Sequence, residues 1–433
     1  MVVTGCGRPF IDISDPESVV VDPDLSIAQT DGEIMVAVRS TSFRNVVRVK
    51  LNGVDMSHAS GDELWTLPVT LAPGINLLRI EAHDEENRVG IDSTYALFVD
   101  YDLETTAAAL PFGLGGHSAV LLSDGSVFVT GGAENSSADA SASTFLFSPS
   151  FDGVDITSPP LHTARVGHTS TNVGQDQVLI IGGAQRAEIS AAEELIESVE
   201  LYSHETRTTT DIPVQGPPIR RMYHTATFRN STQGPILDLI GGTGDVQYFP
   251  EPLLSIRGDI RSFLFRNDSL LSLSPAVGPF IEQLSGHIQV PVTNDSPGDP
   301  AAFLLAGVGG IPPGGPIGLL VDFTTNLGIL VDPVSRAFST RTSHAAAKLN
   351  HDIIGMFGGI NWPEEKVIGT AELYVYSIGQ SFQLPMRRDI SFTDRYSHTA
   401  TMLPSGQVII IGGFNPAGAG LTLSRLFSYS IDK

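Results

Sequence analysis

Six histidines recur at similar intervals along the chain, and four of them follow an arginine by three residues. The histidines are separated by 51, 56, 63, 57 and 54 residues and comprise His117, His168, His224, His287, His344 and His398. The arginines that precede four of them are Arg165, Arg221, Arg341 and Arg395. Imidazole is a common metal ligand, and a planar guanidinium suits bidentate recognition of a carboxylate. The pattern therefore raises two hypotheses, a metal ring and an anion-binding mouth.

The metal hypothesis is the weaker one, because the histidines occupy equivalent positions in separate repeats. No two of them have the spacing of metal ligands, and neither cysteine nor carboxylate accompanies them. We therefore expect each histidine to cap or hydrogen-bond an inner strand. We predict no metal and no cofactor.

Each histidine opens a repeat in which an apolar strand ends in glycine and an aromatic strand follows. In four of the six repeats, the first of two adjacent glycines follows the histidine by 14 residues. The glycine pairs are Gly131-Gly132, Gly182-Gly183, Gly241-Gly242, Gly358-Gly359 and Gly412-Gly413, and the fourth repeat is degenerate. The aromatic strands are predicted at 145–147, 200–202, 263–265, 320–323, 372–374 and 425–427.

This repeat resembles the kelch repeat of β-propellers, and most closely its galactose-oxidase-like form. The resemblance rests on the H-[ST]-x-x-x-L and V-[IL]-[IV]-x-G-G patterns and implies about 55 residues per blade. It predicts a six-bladed kelch-type β-propeller over residues 102–433. Because the chain stops soon after its last aromatic strand, we expect the strand at 103–110 to complete the final blade.

The N-terminal part of the chain has a different pattern. Apolar residues alternate with polar ones at 34–38, 46–51 and 75–80, and turn formers such as Asn52-Gly53 separate these segments. The stretch from Gly74 to Asp84 resembles the late strand of bacterial Ig-like domains. We therefore predict an all-β protein in which an Ig-like β-sandwich at 11–101 precedes the propeller.

The arginines are the best candidates for a ligand site. In an antiparallel blade, the loop before the first strand and the loop after the glycine pair emerge on the same face. The four arginines are therefore expected to share one mouth with Glu134, Arg186, Asp245, Asn361, Trp362 and Asn415. In kelch propellers the equivalent mouth binds ligands or acidic segments, which implies an acidic carbohydrate or a protein segment as partner. In the alternative interpretation, each arginine pairs with an acidic side chain of the next blade and only stabilises the ring.

Copper galactose oxidase activity is excluded by residue types. That enzyme needs a tyrosine cross-linked to a cysteine, and the only cysteine here is Cys6, outside the propeller. The G-x-S-x-G and H-E-x-x-H signatures are also absent. We therefore predict a non-catalytic binding or adhesion module. The alternative is a kelch enzyme such as a sialic-acid mutarotase, in which Glu134 or Asp245 would move a proton.

Composition and the N-terminus bear on location. The chain has 48 acidic and 25 basic residues, a net charge of −23 and no basic cluster, which argues against nucleic-acid binding. No apolar run is long enough to span a membrane. Cys6 follows Val3-Thr4-Gly5, which resembles the end of a bacterial lipobox, so residues 1–10 are predicted to be an anchor segment. We expect a monomer at the outer envelope or outside the cell, with a lipid anchor on Cys6.

Overall fold

The structure is a computed structural model that describes residues 16–42, 45–58, 64–189, 191–231, 233–246, 253–256, 259–273, 285–291, 302–308, 316–322, 330–334, 341–361, 364, 366–385 and 394–431. Over these residues the fold is all-β, with 39 strands and two short 3-10 helices, Ala192–Glu194 and Tyr376–Ile378. Within the same residues, no helix has the length and apolar character to cross a membrane.

The chain divides into two compact units. The first contains Met1–Tyr101 together with Phe382–Pro385 and Tyr429–Lys433, and the second contains Asp102–Ser381 and Met386–Ser428. The predicted domains, 11–101 and 102–433, assign the two short C-terminal segments to the second unit instead. Neither segment carries a motif of its own, so nothing in the sequence indicated that these two segments belong to the first unit.

The first unit consists of two four-stranded antiparallel sheets. Their orders are β1-β2-β6-β5 and β4-β3-β7-β8. The alternating segments found in the sequence lie within β2, β3 and β7, and their inward residues, such as Val36, Val49 and Ile80, share one buried core. The strands are β1 (Glu17–Asp22), β2 (Glu33–Thr41), β3 (Val46–Leu51), β4 (Val54–Asp55), β5 (Ser57–His58), β6 (Leu64–Thr70), β7 (Gly74–Asp84) and β8 (Val89–Phe98).

β9 (Asp100–Thr105) precedes the other strands of the second unit along the chain and belongs to the last sheet of that unit. Sheet 1 follows the order β10-β11-β12-β13, and sheet 2 the order β14-β15-β16-β17. Their strands are β10 (Ser118–Leu121), β11 (Val127–Thr130), β12 (Thr144–Phe147), β13 (Val154–Asp155), β14 (Thr169–Asn172), β15 (Gln177–Ile181), β16 (Val199–Ser203) and β17 (Thr208–Ile212).

Sheets 3 and 4 follow along the chain. Sheet 3 has the order β20-β21-β24-β25-β18, sheet 4 has the order β26-β27-β28-β29, and a small sheet is formed by β19-β22-β23. The strands are β18 (Val214–Gln215), β19 (Arg221–Met222), β20 (Thr225–Ser231), β21 (Gly234–Ile240), β22 (Thr243–Val246), β23 (Leu253–Ile256), β24 (Ile260–Phe265), β25 (Leu270–Ser272), β26 (Ile288–Pro291), β27 (Ala302–Val308), β28 (Pro316–Asp322) and β29 (Leu330–Val334).

Sheets 5 and 6 complete the unit. Sheet 5 has the order β31-β32-β35-β36, sheet 6 has the order β37-β38-β39-β9, and a second small sheet is formed by β30-β33-β34. The strands are β30 (Arg341–Thr342), β31 (Ala345–Lys348), β32 (Ile353–Phe357), β33 (Ile360–Asn361), β34 (Lys366–Val367), β35 (Ala371–Val375), β36 (Gln380–Gln383), β37 (Thr399–Met402), β38 (Val408–Ile411) and β39 (Ser424–Ser430).

The first strands of the six described sheets form a closed circle. β10 contacts β14, β14 contacts β20, and the series continues through β26, β31 and β37 back to β10. Neighbouring sheets cover both faces of the second strands, so β11 and β38 are buried at every residue. This double burial explains why these strands are continuously apolar rather than alternating.

The last sheet takes its fourth strand from the start of the unit. β9 lies beside β39, so the strand that completes sheet 6 is Asp100–Thr105 rather than the predicted 103–110. In β9 the buried Tyr101 and Leu103 alternate with more exposed neighbours, the pattern of a half-covered strand. The residues that follow β9 stay in contact with sheet 6 without belonging to its ladder: the backbone N–H of Thr106 donates to Ser424 on β39, and that of Ala108 donates to Phe151 in the loop between β12 and β13.

The glycine pairs are required by close packing between neighbouring repeats. A Cβ on Gly182 would lie 2.7 Å from the His224 ring of the next repeat, and one on Gly183 would lie 3.0 Å from the Cβ of His168 in its own repeat. Both glycines also have positive φ, +67° and +90°. The glycine pair therefore leaves the space in which two histidine side chains pack, one from its own repeat and one from the next.

Replacing one glycine of the pair tests this packing. Gly183→Ala and Gly174→Ala both place a Cβ on a residue with positive φ, but only the first meets neighbouring atoms within 4 Å. We expect each variant to lose about 1 to 2 kcal/mol of unfolding free energy from backbone strain. Gly183→Ala should lose roughly 1 to 3 kcal/mol more from overpacking. Urea unfolding measures both, and equal losses would contradict the packing role.

Candidate functional site

A closed ring of six backbone hydrogen bonds lies where the repeats meet. In each repeat, the residue just before the histidine donates its N–H to the carbonyl of the equivalent residue one repeat earlier, at 2.7 to 3.0 Å. All six residues have positive φ, between +51° and +68°. They are Gly116, Gly167, Tyr223, Gly286, Ser343 and Ser397.

The ring opens into a polar cavity of about 120 Å³, which the six ring residues and the six histidines line. Ser343, Ser397 and Tyr223, three residues with hydroxyl groups, belong to this lining. At about 30 Å³ per water molecule, the cavity has room for roughly four waters. It can therefore receive a polar substituent of a ligand, whereas a whole sugar ring would have to lie above it.

The histidines are buried and anchored to the preceding sheet. The Nε2 atoms of His117, His168, His224 and His287 lie 2.8 to 3.2 Å from threonine hydroxyls, those of Thr399, Thr130, Thr169 and Thr225. These contacts are the inner-strand hydrogen bonds expected from the sequence. They join each repeat to the one before it.

Burial keeps the histidines neutral. It lowers the pKa of His117 to about 4 and that of His287 to about 3, from an ordinary value of 6.5. It also lowers the pKa of His168, His224, His344 and His398 well below that value, and the adjacent arginines Arg165, Arg221, Arg341 and Arg395 add to this effect. At neutral pH the cavity wall therefore consists of uncharged imidazoles.

The four arginines lie in the wall of the ring and not on its surface. Arg165 and Arg341 are buried and pair with the buried carboxylates of Glu200 at 2.6 Å and Glu372 at 3.0 Å. Arg221 pairs with Asp259 at 3.2 Å. Each carboxylate belongs to the same repeat as its arginine rather than to the next one, because the segment before the first strand of a repeat lies beside its third strand.

A second set of contacts fixes these arginines. The Nη1 atoms of Arg165, Arg221, Arg341 and Arg395 donate to the carbonyl of the first glycine in their own repeat, at 2.9 to 3.0 Å. The guanidinium groups thus hold the strand end in place. Direct contact between these arginines and a ligand stays a prediction.

The other predicted mouth residues lie on loops of different repeats, and backbone bridges join the loops that carry Glu134, Arg186 and Asn415. Glu134 is exposed, and Arg186 is half exposed with its Nε 3.2 Å from Asp139. Asn361 lies on β33 and donates to Glu364 at 3.2 Å, and Asp245 lies on β22 opposite Leu254. Trp362 and Cys6 lie outside the described residues. Asn415 shapes its own turn by accepting from the N–H groups of Ala417 and Ala419.

Two tyrosines were not singled out in the sequence analysis: Tyr223, which is one of the six ring residues, and Tyr396, which directly precedes another of them. Tyr223 is half buried, its hydroxyl donates to the carbonyl of Ala187 at 3.4 Å, and burial together with Tyr396 raises its pKa to about 12. Tyr396 packs with Phe414, Val166 and Ala187 in an apolar cluster. Both tyrosines lie between arginine and histidine, where other repeats have small or apolar residues. This departure from the repeat is the sequence feature by which the two tyrosines could have been identified.

One cluster of potential metal ligands occurs among the described residues. His162, Glu200 and Asp211 bring their ligand atoms within 4.8 Å of one another. Glu200 already accepts from the Arg165 guanidinium and from the backbone N–H groups of His162 and Thr163. Because this carboxylate is hydrogen-bonded and paired with a cation, it is a poor ligand for a metal ion.

Comparisons with known proteins relate the chain to solved structures by its fold. No protein-family model and no curated protein sequence matches the chain. The structure of YjhT, a kelch-type sialic acid mutarotase, superposes with a TM-score of 0.55 at 14% identity, over 74% of this chain and 99% of that chain. This similarity and the all-β architecture fit a kelch β-propeller.

The comparison corrects the functional prediction from the sequence. A non-catalytic surface adhesion module was expected because no catalytic signature is present. A structure that shares this fold is that of YjhT, an enzyme, so the prediction of a non-catalytic module is wrong and the alternative interpretation fits better. The hydrolase and oxidase signatures that were sought do not cover reactions such as proton transfer at a sugar, which need no fixed motif.

Removing an arginine distinguishes a structural role from a ligand-binding one. We expect Arg165→Ala and Arg341→Ala each to lose about 3 to 5 kcal/mol of unfolding free energy, because a buried carboxylate is left uncompensated. Arg207→Ala is the control, since its pair with Asp155 is exposed and contributes about 1 kcal/mol or less. Chemical denaturation measures all three. Full stability combined with lost ligand binding would place the arginines at a ligand instead.

Because the buried histidines are neutral, we predict that the protein loses stability in weak acid. Their folded pKa values lie below the unfolded value of 6.5, so their stabilisation is complete above pH 6.5 and declines as the pH falls toward the folded values. Each histidine contributes up to about 1.4 kcal/mol per pH unit in this range. His117→Asn should reduce the slope between pH 6.5 and 4.5, and His351→Asn, an exposed control, should not. A flat stability profile across this range would contradict the assignment.

Proposed function

We propose that the protein is a carbohydrate-active kelch enzyme of the sialic acid mutarotase type, which interconverts the anomers of an acidic sugar. The observation that carries this proposal is the fold shared with YjhT over 99% of that chain. A polar cavity at the centre of the same unit supports it, because mutarotation needs only groups that donate and accept protons at neutral pH.

The proposed architecture is a six-bladed propeller preceded by an Ig-like β-sandwich. Six described sheets whose first strands contact one another in a circle support the blade number. Two packed antiparallel sheets and the Gly74–Asp84 strand support the Ig-like assignment. The mouth of the propeller is the proposed site.

Mutarotation requires one proton donor and one acceptor near the anomeric carbon. The ring oxygen gains a proton as its bond to that carbon breaks, and the anomeric hydroxyl loses one as the carbonyl forms; reclosure on the other face reverses both steps. Tyr223, with its pKa raised to about 12, holds its proton at neutral pH and is the proposed donor. Neutral imidazoles in the cavity wall offer acceptor nitrogens, directly or through water.

Arg186 is the proposed partner of the sugar carboxylate. It is half exposed, unlike the buried arginines of the ring, and adjoins Ala187, whose carbonyl accepts from the Tyr223 hydroxyl. An acid held at Arg186 would bring the anomeric carbon near that hydroxyl, since the carboxylate of a sialic acid is attached to the anomeric carbon. Tyr396, which is partly buried and packs on Phe414, would cover the C–H face of the sugar.

We also propose where the protein is located and consider an alternative partner. The lipobox-like sequence before Cys6 supports an outer-envelope or extracellular location, and the acidic composition supports secretion into saline surroundings. An acidic protein segment would suit the same exposed arginine. The chemistry above favours the sugar, because a peptide has no use for a proton donor.

Exchange NMR on the purified full chain tests the proposed activity. The protein should accelerate anomer exchange of N-acetylneuraminic acid above the uncatalysed rate. Tyr223→Phe should lower kcat by about 10² or more, because the donor is lost and the ring stays in place. Arg186→Ala should raise KM about 10-fold while the protein stays folded.

The controls use the same substrate and a neutral sugar. Arg207→Ala removes an exposed arginine that pairs with Asp155 and should leave the exchange rate unchanged. Glucose should exchange at its uncatalysed rate if Arg186 selects acids. Uncatalysed rates for acidic and neutral sugars alike would eliminate the proposed function.

A further inference from the structure

The cavity at the centre of the ring is not the same on all sides. Three of the six ring residues, Gly116, Gly167 and Gly286, are glycines and bring no side chain to it. In the fifth and sixth repeats the ring residues are Ser343 and Ser397, both half-buried. The N–H of Ser397 donates to the carbonyl of Ser343 at 2.7 Å, so the two serines are neighbours in the circle.

The histidine that follows Ser343 is a buried polar group without a partner. His344 lines the cavity and is 6% exposed, and neither of its ring nitrogens has a hydrogen-bond partner in the described part of the chain. In three other repeats the histidine Nε2 meets the hydroxyl of the threonine that follows the histidine one repeat earlier. For His344 that position is Ile288, which has no hydroxyl. Because an unsatisfied buried imidazole is costly, a group inside the cavity is the partner that the structure leaves for it.

The lining of the cavity carries no charge at neutral pH. Burial, together with Arg341 and His287, lowers the pKa of His344 well below 6.5. A neutral imidazole offers one hydrogen-bond donor and one acceptor, and a hydroxyl group also both donates and accepts. The part of the lining that contains Ser343, His344 and Ser397 is therefore matched to hydroxyl groups. A carboxylate, which only accepts, or a metal ion, which needs only acceptors, would use half of these groups.

The volume of the cavity limits how much of a ligand can enter. Its 120 Å³ holds roughly four waters, so a short carbon chain with hydroxyl groups fits and a sugar ring does not. The side chain of a sialic acid is such a chain. It is attached beside the ring oxygen, on the opposite side from the anomeric carbon. An anomeric carbon near Tyr223, which lines the same cavity, would therefore place the side chain close to the opening.

We propose that the central cavity binds the hydroxylated side chain of the sugar, with Ser343, His344 and Ser397 as its hydrogen-bonding partners. The ligand class is a neutral linear polyol attached to an acidic sugar ring. This inference rests on the proposed function, because the ring must lie above the cavity for its side chain to enter. The three residues determine specificity at this end of the sugar, whereas Tyr223 and Arg186 act at the anomeric end.

A shortened substrate tests the inference on the unaltered full chain. An analogue of N-acetylneuraminic acid that lacks the last two carbons of the side chain keeps the ring, the carboxylate and the anomeric carbon. In exchange NMR its KM should be about 10-fold higher than that of the parent sugar, the loss expected for one or two neutral hydrogen bonds. Equal KM values for the two sugars would overturn the inference and leave the proposed function standing. Uncatalysed rates for both sugars would remove the proposed function and this inference with it.

Serine variants connect the effect to the cavity. Ser343→Ala and Ser397→Ala each remove a hydroxyl and keep a Cβ on a residue with the same positive φ, so the backbone strain does not change. The double variant should raise the KM of the parent sugar about 10-fold and that of the shortened sugar by less than about 2-fold. An equal rise for both sugars would show a general disturbance of the site and would refute the inference.

The matched control is Ser272→Ala, which removes the hydroxyl of a half-buried serine on β25, outside the cavity. It should leave both KM values unchanged. His344→Leu removes the donor and the acceptor of the imidazole and should also raise the KM of the parent sugar more than that of the shortened one. If His344→Leu does not fold, the serine variants and the comparison of the two sugars decide the matter.

Discussion

The closed circle of six backbone hydrogen bonds is the constraint on which the second unit depends. Each repeat contributes one donor and one acceptor to it, and each bond joins two different repeats. Such a circle closes only if every repeat presents this residue with positive φ and at the same height. The histidine and the buried arginine flank this residue along the chain, and the glycine pair packs against the histidines and accepts from the arginine.

Much of this arrangement was predictable because it repeats. The spacing of His168 and Gly182 recurs closely enough to reveal the sheets, and the aromatic strands predicted from the sequence coincide with the third strands. Less was predictable where a feature occurs once. The completing strand was displaced in the prediction, because the alternation of Tyr101 and Leu103 is too short to stand out from its neighbours.

The candidate site shows that a residue pattern that recurs can also mislead a prediction of function. Recurring residues such as Arg165 attracted a functional interpretation, yet recurrence in a ring marks a shared structural task, here the pairing with Glu200 and the strand end. Residues that could give this protein its own chemistry are those that break the repeat. Tyr223 and Arg186 each occupy a position where other repeats have something different, and no regular pattern singles them out.

The place of β9 beside β39 has a consequence for biosynthesis. The two strands are separated by more than three hundred residues, so at ordinary translation rates the first emerges on the order of tens of seconds before its neighbour. During that interval β9 has an unpaired edge, and the partly made circle exposes the inner strands at its gap. Closure therefore waits until β39 has been synthesised, and until then the unpaired edge of β9 can pair with other chains.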